Sequence, residues 1–321
     1  PGQEEVITRV LAGEDTLAIL ATGAGKSLCY QLPALMLPGT TVVVSPLIAL
    51  MKDQLDMLEE RGVRETVALN STLTEDQEAA AIARIASGTI KIVFVTPEKL
   101  EDDAFVAILQ ALTVPLFAID EAHCISQWGH DFRPEYRALG QVRQLLPGVP
   151  MLALTATADA QTRADIKDAL GVPDAEEIVA GFDRPNLSLR FERRNGPAAK
   201  AVAGLLQRRK GAAGIVYCGS RDGSEKLAEA LGREGHAAAA YHAGLPAKTR
   251  EQRLADFMSG RIGVMTATIA FGMGINKADV RFVVHADPPS SMEAYWQEVG
   301  RAGRDGAPAS GVCFYGPGDL G

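Results

Sequence analysis

A short apolar run that opens into a loop of small residues is the feature that most constrains the fold of this chain. Leu17–Leu20 has the character of a buried strand, the loop runs Thr22-Gly23-Ala24-Gly25-Lys26-Ser27, and Leu28–Leu35 has helical apolar spacing. The loop N–H groups and the helix N-terminus would then face one point, which is the geometry of a phosphate cradle. There Lys26 would reach the β- and γ-phosphates and Ser27 would hold Mg²⁺. Because a leucine replaces the first glycine of G-x-x-x-x-G-K-[ST], the loop alone leaves a plain turn open as the alternative.

Composition limits how this cradle is interpreted. The 321 residues predict two domains, and a hydrophobic content of 47% is enough for their cores. No apolar run approaches the ~18 residues of a membrane span, so we expect no membrane contact. The four cysteines are far apart in the sequence and are expected to be reduced thiols of a cytoplasmic protein. The net charge of −8 argues against a general polyanion binder, so any nucleic-acid site must be local.

Apolar strand-like runs alternate with helix-period segments along the whole chain. Continuous apolar strands are typical of parallel sheets covered on both faces, so the pattern predicts doubly wound α/β domains. Strands are predicted at Leu17–Leu20, Thr41–Ser45, Thr66–Leu69, Ile90–Val95, Leu116–Ile119, Met151–Leu154, Leu187–Phe191, Gly214–Tyr217, Ala237–Tyr241, Ile262–Thr266, Phe282–His285 and Val312–Tyr315. Helices are predicted at Leu47–Glu60, Glu75–Ala86, Pro134–Leu146, Ala198–Arg208, Ser224–Arg233, Ala247–Met258 and Met292–Val299.

The pattern restarts after a segment that contains glycine and proline, residues 181–186. We therefore predict two domains, residues 1–183 and 184–321. No second G-K-[ST] occurs in the chain, so only the first domain is expected to carry a phosphate cradle.

A pair of carboxylates at a strand end is the second chemical signal. Asp120 and Glu121 follow the apolar run Leu116–Ile119, where a parallel sheet presents its ligand-binding edge. Asp120 would hold Mg²⁺, directly or through water, and Glu121 would orient or deprotonate the water that attacks the γ-phosphate. A solvated acidic turn is the alternative, which the upstream phosphate loop disfavours.

The order of three motifs (TGAGKS, DEAH, then TATA at residues 155–158) resembles the superfamily 2 helicases. Longer segments are similar specifically to the RecQ family of DNA helicases, and such matches extend from residue 1 to about residue 317. These segments are Pro1–Gln3, Val44–Gln54, Asp120–Tyr136, Phe271–Val280 and Gln297–Gly306.

The resemblance implies two tandem RecA-like domains that use ATP and Mg²⁺. The residues it assigns to nucleotide binding are Gln3, Thr22, Gly23, Ala24, Gly25, Lys26, Ser27, Asp120 and Gly274, with Ser27 and Asp120 as the metal ligands. The residues it assigns to catalysis are Lys26, Glu121, Gln297, Arg301 and Arg304. Gln3 would recognise adenine through its amide. Arg301 and Arg304, which share a face if they are helical, would stabilise transition-state charge as arginine fingers.

Nucleic-acid contact is expected from Ser126–Tyr136, a stretch rich in aromatic and basic residues. Trp128, Phe132 and Tyr136 could stack on bases while His130, Arg133 and Arg137 contact phosphates, a combination suited to single strands. An aromatic mini-core under a loop is the alternative. The weaker candidates for DNA binding are Ser45, Lys52, Asn70, Thr96, Ser220, Arg221 and His242.

The resemblance implies an ATP-dependent DNA helicase that moves 3′ to 5′ on single-stranded DNA and unwinds partial duplexes in repair and recombination. We expect a monomer that acts in the bacterial cytoplasm at the nucleoid. The zinc module and winged helix usual in the family do not follow residue 317, so the chain is expected to be an isolated motor core. Ala24 stands where the family often has glycine, which would matter only at a positive φ.

Three other functions are alternatives to a DNA helicase. An RNA helicase of the DEAD-box or DEAH kind is disfavoured by TATA in place of S-A-T and by the loop SQWGHDFRPEY. A non-hydrolysing DNA-binding scaffold is disfavoured because Lys26, Glu121 and both arginines are present. A P-loop kinase is excluded because it needs no second domain that carries arginines.

Overall fold

Runs of valine, isoleucine, leucine and alanine form the strands of this protein, because apolar and β-branched side chains pack well on both faces of a parallel sheet. The structure is a computed structural model that describes residues 2–127, 131–180, 183–194, 196–209, 211–269, 271 and 277–316, with the backbone alone at 137, 138 and 208. Backbone contacts divide the chain into two units, Pro1–Phe182 and Asp183–Gly321. This division is adjacent to the boundary predicted after residue 183.

The first unit is built on one parallel sheet. Its described strands are β1 (Thr16–Leu20), β2 (Thr41–Val44), β3 (Thr66–Leu69), β4 (Ile92–Val95), β5 (Phe117–Ile119), β6 (Met151–Thr155) and β7 (Glu176–Ala180). They lie in the order β3-β4-β2-β5-β6-β1-β7, and each described pair is parallel. All seven described strands therefore present their carboxyl ends at the same edge.

Helices cover both faces of this sheet. They are α1 (Gln3–Leu11), α2 (Leu28–Met36), α3 (Ile48–Glu60), α4 (Glu75–Ala86), α5 (Asp103–Ala111), α6 (Pro134–Arg137), α7 (Val142–Leu145) and α8 (Ala160–Leu170), with 3₁₀ turns at Pro97–Glu101, Ala122–Ile125 and Ala138–Gln141. Leu17 and Ile19 of β1 pack with residues of α4, α5 and α8, whereas Ala18 and Leu20 pack with residues of α1, α2 and α3. Successive side chains of a strand point to opposite faces of the sheet, so β1 contributes to two separate cores.

The second unit repeats the architecture with different connections. Its described strands are β8 (Leu187–Arg193), β9 (Ala213–Tyr217), β10 (Ala238–Tyr241), β11 (Val264–Ala267), β12 (Val280–His285) and β13 (Ala309–Tyr315), and its helices are α9 (Ala198–Leu206), α10 (Arg221–Arg233), α11 (Ala247–Met258) and α12 (Met292–Val299). The strands form a parallel sheet in the order β10-β11-β9-β12-β13-β8. Side chains of α11 and α12 enter one core, and those of α9 and α10 enter the other.

The prediction of two α/β units, each with a parallel sheet covered by helices on both faces, is confirmed. The edge strand β7 was not predicted, because its sequence Glu-Glu-Ile-Val-Ala is half polar and exposed. Within the described part of the chain, no helix is both long and apolar enough to span a membrane.

The predicted single helix over Pro134–Leu146 is wrong. The segment is instead α6, a 3₁₀ turn and α7. Its buried residues Tyr136, Leu139 and Val142 recur every three residues, which is the period of a 3₁₀ helix and not of an α-helix. Gly140 adds a second reason, because a Cβ there would lie 2.1 Å from the carbonyl oxygen of Ala169 at the end of α8. Close packing on α8 therefore decides the path of this segment.

Gly214→Ala is expected to destabilise the second unit by about 2–3 kcal/mol, because overpacking a dense core forces neighbours to move. A Cβ at Gly214 would lie 1.9 Å from the ring of Phe282, which is fully buried. Gly232→Ala in α10 is the matched control, since nothing lies within 4 Å of its built Cβ. It should stabilise by roughly 0.5–1 kcal/mol through helix propensity. Urea unfolding of both variants measures the difference, and equal effects would contradict the packing argument.

Candidate functional site

The carboxyl edge of the first sheet gathers most of the predicted site residues. The phosphate loop follows β1, residues 155–157 end β6, and Asp120 follows β5; these three strands are neighbours in the order β5-β6-β1. Ser45, Thr96 and Asn70 follow β2, β4 and β3, which are the next three strands along the same edge. At this edge, the predicted nucleotide residues at the ends of β1 and β5 are therefore separate from Ser45, Thr96 and Asn70.

The phosphate loop leaves its N–H groups available for an anion. Within the described chain, no hydrogen bond uses the backbone N–H of Gly25, Lys26 or Ser27. The Lys26 ammonium lies 3.5 Å from the carbonyl oxygen of Leu20, so the side chain folds back over the loop. Ala24 is not strained, since Glu121 is the only described non-glycine residue with a positive φ. The loop thus has the donors of a phosphate cradle.

Gln3, the first residue of α1, lies against this loop. Its side-chain amide donates to the carbonyl oxygen of Gly25 at 3.0 Å, and Gly25 itself has φ +73°. A Cβ at Gly25 would lie 2.6 Å from the amide nitrogen of Gln3. The glycine is therefore needed both for its backbone conformation and for the approach of Gln3. The amide predicted to recognise adenine is beside the phosphate loop.

Asp120 is a buried carboxyl group whose charge is poorly compensated by the protein. It is 7% exposed, and its Oδ1 accepts a hydrogen bond of 2.9 Å from the N–H of Glu121. Burial raises the pKa of Asp120 to about 7; the Glu121 carboxylate adds to the rise, and the charge of Lys26 opposes it. A bound cation would stabilise the charged form of such a group. Asp120 and the Ser27 hydroxyl are oxygen ligands of the kind that Mg²⁺ prefers, so the residues present fit this metal.

In metal-free protein, Asp120→Asn is expected to gain stability over the wild type as the pH rises from 4 to 7. The folded-state pKa of Asp120 lies above the ordinary value of 3.8, so in this window the folded state retains a proton that the unfolded state releases, and wild-type stability falls as the pH rises. Asparagine does not titrate. The difference should approach an order of 3 kcal/mol above pH 7. Urea unfolding in EDTA at pH 5 and pH 8 measures it, and parallel pH dependences of the two proteins would contradict the assignment.

Glu121 is held in a strained backbone conformation beside a buried histidine. Its φ of 50° and ψ of 46° are left-handed, a conformation that costs a non-glycine residue about 1–3 kcal/mol and is common at functional sites. His123 Nδ1 lies 3.4 Å from Glu121 Oε2 and 2.9 Å from the hydroxyl of Thr155. The Thr155 hydroxyl also donates to the carbonyl of Thr157. His123 therefore joins the ends of β5 and β6, as a buried hydrogen-bonding residue.

One group of metal-ligand side chains escaped the sequence analysis. His123, Cys124 and Asp131 bring one ligand atom each to within 4.8 Å of one another. The carboxylate of Asp131 is already paired with Arg133 at 3.2 Å, and burial raises the pKa of the Cys124 thiol far above its usual range. These contacts favour a structural cluster, since a metal requires the thiolate.

The aromatic loop after Asp120 is fastened to the first sheet. Arg133 donates to the carbonyl oxygen of Pro46 at 3.3 Å, and its N–H donates to Cys124. Tyr136 is fully buried and donates to the carbonyl oxygen of Asp120, so the expectation that Tyr136 stacks on bases is wrong. Its ring is part of the apolar core of the first unit. Trp128 and His130 lie outside the described residues.

Phe132 and Arg133 line a surface pocket of about 330 Å³. Pro46 and Pro97, which lie shortly after β2 and β4, form its opposite side. Three acidic residues also line the pocket: Glu98, Asp131 and Glu135. Carboxylates repel phosphate, so this pocket suits the stacking of a base better than contact with the backbone of a nucleic acid.

The other DNA candidates differ in their access to a ligand. Lys52 and Arg221 are exposed, and Thr96 is half-buried. Ser45 is 2% exposed, which removes its hydroxyl from the surface. The remaining three are engaged locally: Asn70 accepts from Thr72, Ser220 caps α10 by accepting from Gly223, and His242 binds Glu225 at 2.8 Å.

The predicted arginines follow α12, but they do not share a helix. The helix ends at Val299, and Arg301 and Arg304 lie in consecutive turns because Gly303 takes a φ of +61°. Arg301 is 4% exposed, whereas Arg304 is half-buried and Gln297 is half-buried on α12. Gly274 lies outside the described residues.

The sequence analysis missed the residues that hold this arginine turn. Arg184 donates to the carbonyl oxygens of Ala302 and Gly303 at 2.8 and 2.9 Å. The amide of Asn186 donates to the carbonyl oxygens of Gly303 and Ala307. Both donors come from the segment that was considered only as a domain boundary. Its composition of Asp, Arg, Pro and Asn was the available signal, because polar side chains beside a proline often bind backbone groups.

Two parallel sheets, one phosphate loop and a strand-end Asp-Glu pair define the RecA-like class of P-loop proteins. A family model of the DEAD/DEAH box helicases matches residues 1–166, and a model of the helicase conserved C-terminal domain matches residues 198–306. The solved helicase Lhr of Mycobacterium smegmatis has a TM-score of 0.73 and 24% identity over 98% of this chain and 45% of its own. That similarity supports the fold.

Curated relatives indicate which helicases within this class the chain resembles. An ATP-dependent DNA helicase RecQ of Haemophilus influenzae is 49% identical over 319 residues, which cover 99% of this chain and 51% of the relative. Its counterpart in Bacillus subtilis is 43% identical over 321 residues, with 99% and 54% covered. The chain therefore belongs to the DEAD/DEAH box helicases, and along almost its whole length it is similar to the RecQ helicases among them. It spans about half the length of these relatives.

Proposed function

We propose that this chain is an ATP-dependent DNA motor of the RecQ type. The observation that carries the proposal is the arrangement at the carboxyl edge of the first sheet. There the charge of Lys26 lowers the pKa of Asp120, and the next residue, Glu121, has a strained backbone conformation. A phosphate-binding lysine and a metal-binding carboxylate beside a second carboxylate are the parts needed to hydrolyse a nucleoside triphosphate. The named activity of the curated relatives supports this reading.

Each residue has a distinct part in the proposed hydrolysis. The N–H groups of the loop and the Lys26 ammonium bind the β- and γ-phosphates, and Ser27 and Asp120 hold Mg²⁺, which when bound neutralises charge on the phosphate oxygens. Glu121 accepts a proton from the attacking water, and His123 at 3.4 Å orients its carboxylate. Arg301 and Arg304, by family resemblance, stabilise the charge of the transition state.

Single-stranded DNA is the proposed partner, with bases at the pocket of Phe132 and Arg133. The contact from Arg133 to Pro46 links this pocket to the end of β2, and the same loop begins at Glu121. DNA that moves the loop would therefore act on the residue that positions the water. We infer 3′-to-5′ translocation and unwinding of partial duplexes in repair and recombination, by a monomer in the cytoplasm at the nucleoid.

A paired ATPase and unwinding assay on this chain tests the function. We expect ATP turnover to require Mg²⁺ and to rise at least about tenfold with single-stranded DNA, but not with RNA of the same sequence. No stimulation by DNA would contradict the proposal, and stimulation by RNA alone would favour an RNA helicase. ATP turnover without unwinding would support the proposed ATP-driven motor but limit its function to translocation.

A further inference from the structure

Glu298 and Arg301 form an unusual pair of buried charges at the end of α12. Glu298 is 7% exposed and Arg301 is 4% exposed, and the N–H of Arg301 donates to the carbonyl oxygen of Glu298 at 3.2 Å. A buried carboxylate three positions before a buried guanidinium would ordinarily form an ion pair with it. Among the described residues, however, Glu298 pairs with His285 and no ion pair joins it to Arg301.

His285, the last residue of β12, binds the carboxylate of Glu298. Its Nε2 lies 2.7 Å from Glu298 Oε2, and its side chain is fully buried. Because Glu298 can only accept, Nε2 must carry the proton that it donates. The ring is fixed by Tyr217, which stacks on it at 5.5 Å with an angle of 19°, and by Tyr295 at 5.2 Å. Both tyrosine rings therefore pack on the imidazole that binds Glu298.

Arg301 is held by a neutral partner. Its guanidinium lies beside the phenol of Tyr217, whose O–H donates to the carbonyl oxygen of Phe271 at 2.8 Å. Burial raises the pKa of Tyr217 to about 12, so the phenol stays uncharged at neutral pH. A phenol fixes the direction of a guanidinium without offsetting its charge, whereas a carboxylate would offset it.

We propose that His285 is a positioning residue for Arg301, because it sequesters the Glu298 carboxylate that would otherwise neutralise this arginine. The inference rests on the proposed function, in which Arg301 meets the charge of the transferring phosphoryl group. With Glu298 bound to His285 and Arg301 on Tyr217, the full charge of the guanidinium is available to an anionic ligand. Without the histidine, the carboxylate would turn to Arg301, one turn along the chain.

A double-mutant cycle tests this arrangement through DNA-stimulated ATPase. His285→Phe keeps an aromatic ring for Tyr217 and Tyr295 but removes the N–H donor, and it should lower kcat roughly tenfold or more with a smaller change in KM. In the Glu298→Gln background, the same His285→Phe change should lower kcat by less than about threefold, because a neutral amide does not neutralise Arg301. His285→Gln, which retains a donor, should keep kcat closer to wild type than His285→Phe. His236→Phe, in a turn before β10, is the control and should leave kcat unchanged.

The outcomes separate this inference from the proposed function. A wild-type chain without DNA-stimulated turnover would contradict the proposed function before any variant is compared. If the wild type is active and His285→Phe is equally harmful with native Glu298 and in the Glu298→Gln background, the inference is overturned, since the charge of Glu298 then has no part in the loss. Circular dichroism checks folding, and His285→Met, a flexible apolar side chain with no donor, replaces His285→Phe in the cycle if the latter unfolds.

Discussion

Glu121→Gln is expected to lower DNA-stimulated ATP turnover by at least about 100-fold, because a positioned general base contributes that much or more. Glutamine keeps the size of the side chain and is as well suited as glutamate to the left-handed backbone at this position. It removes the negative charge that accepts the proton of the water. Steady-state kcat, measured with saturating single-stranded DNA, gives the effect.

Nucleotide binding should survive the same substitution. The phosphate loop and Asp120 are intact in this variant, so the dissociation constant of a fluorescent ATP analogue should change by less than about threefold. Glu60→Gln at the exposed end of α3 is the matched control and should have wild-type turnover. Normal turnover in Glu121→Gln would remove Glu121 from the mechanism, and loss of nucleotide binding would assign it to ground-state binding.

Arg301→Lys is expected to lower kcat by about 100-fold or more, with a smaller change in KM for ATP. Lysine keeps the charge, but it has no planar fork with which to contact the Tyr217 phenol and a phosphate oxygen together. The loss should therefore appear in the chemical step and not in binding. Single-turnover hydrolysis, compared with steady-state kinetics, separates the two.

Arg233→Lys is the matched control for this variant. Arg233 lies exposed on α10, where its guanidinium pairs with Glu229, and such surface pairs contribute little. Turnover within about threefold of wild type in Arg301→Lys would show that any cation at this position suffices. An equal loss in Arg233→Lys would instead indicate a general effect on the second unit.

The phosphate loop and the Asp-Glu pair were predictable because their signals are local. A glycine loop between an apolar strand and a helix can be recognised within about a dozen consecutive residues. The same is true of a carboxylate pair at the end of a buried strand. The alternation of strands and helices, which predicted two parallel sheets, is local in the same sense. The sequence alone therefore assigns Lys26, Ser27, Asp120 and Glu121 to their elements.

The partners of these residues were decided only by the tertiary structure. The path of residues 134–146 depends on packing against α8, and the same packing buries Tyr136. The raised pKa of Asp120 follows from burial and from its neighbours Glu121 and Lys26. Each of these effects depends on contacts with segments that are distant in the sequence.

The second unit shows most clearly the difference between what the sequence predicts and what the tertiary structure decides. The sequence alone indicated that Arg301 and Arg304 belong to a functional motif, but it left open whether they share a helix face, and the helix ends before them. Which side chains compensate the charge of a buried arginine depends on the fold, and here Tyr217 and Glu298 come from different elements. Charge compensation in a protein interior is a property of three-dimensional neighbours, and for Arg301 those neighbours were visible only after the chain had folded.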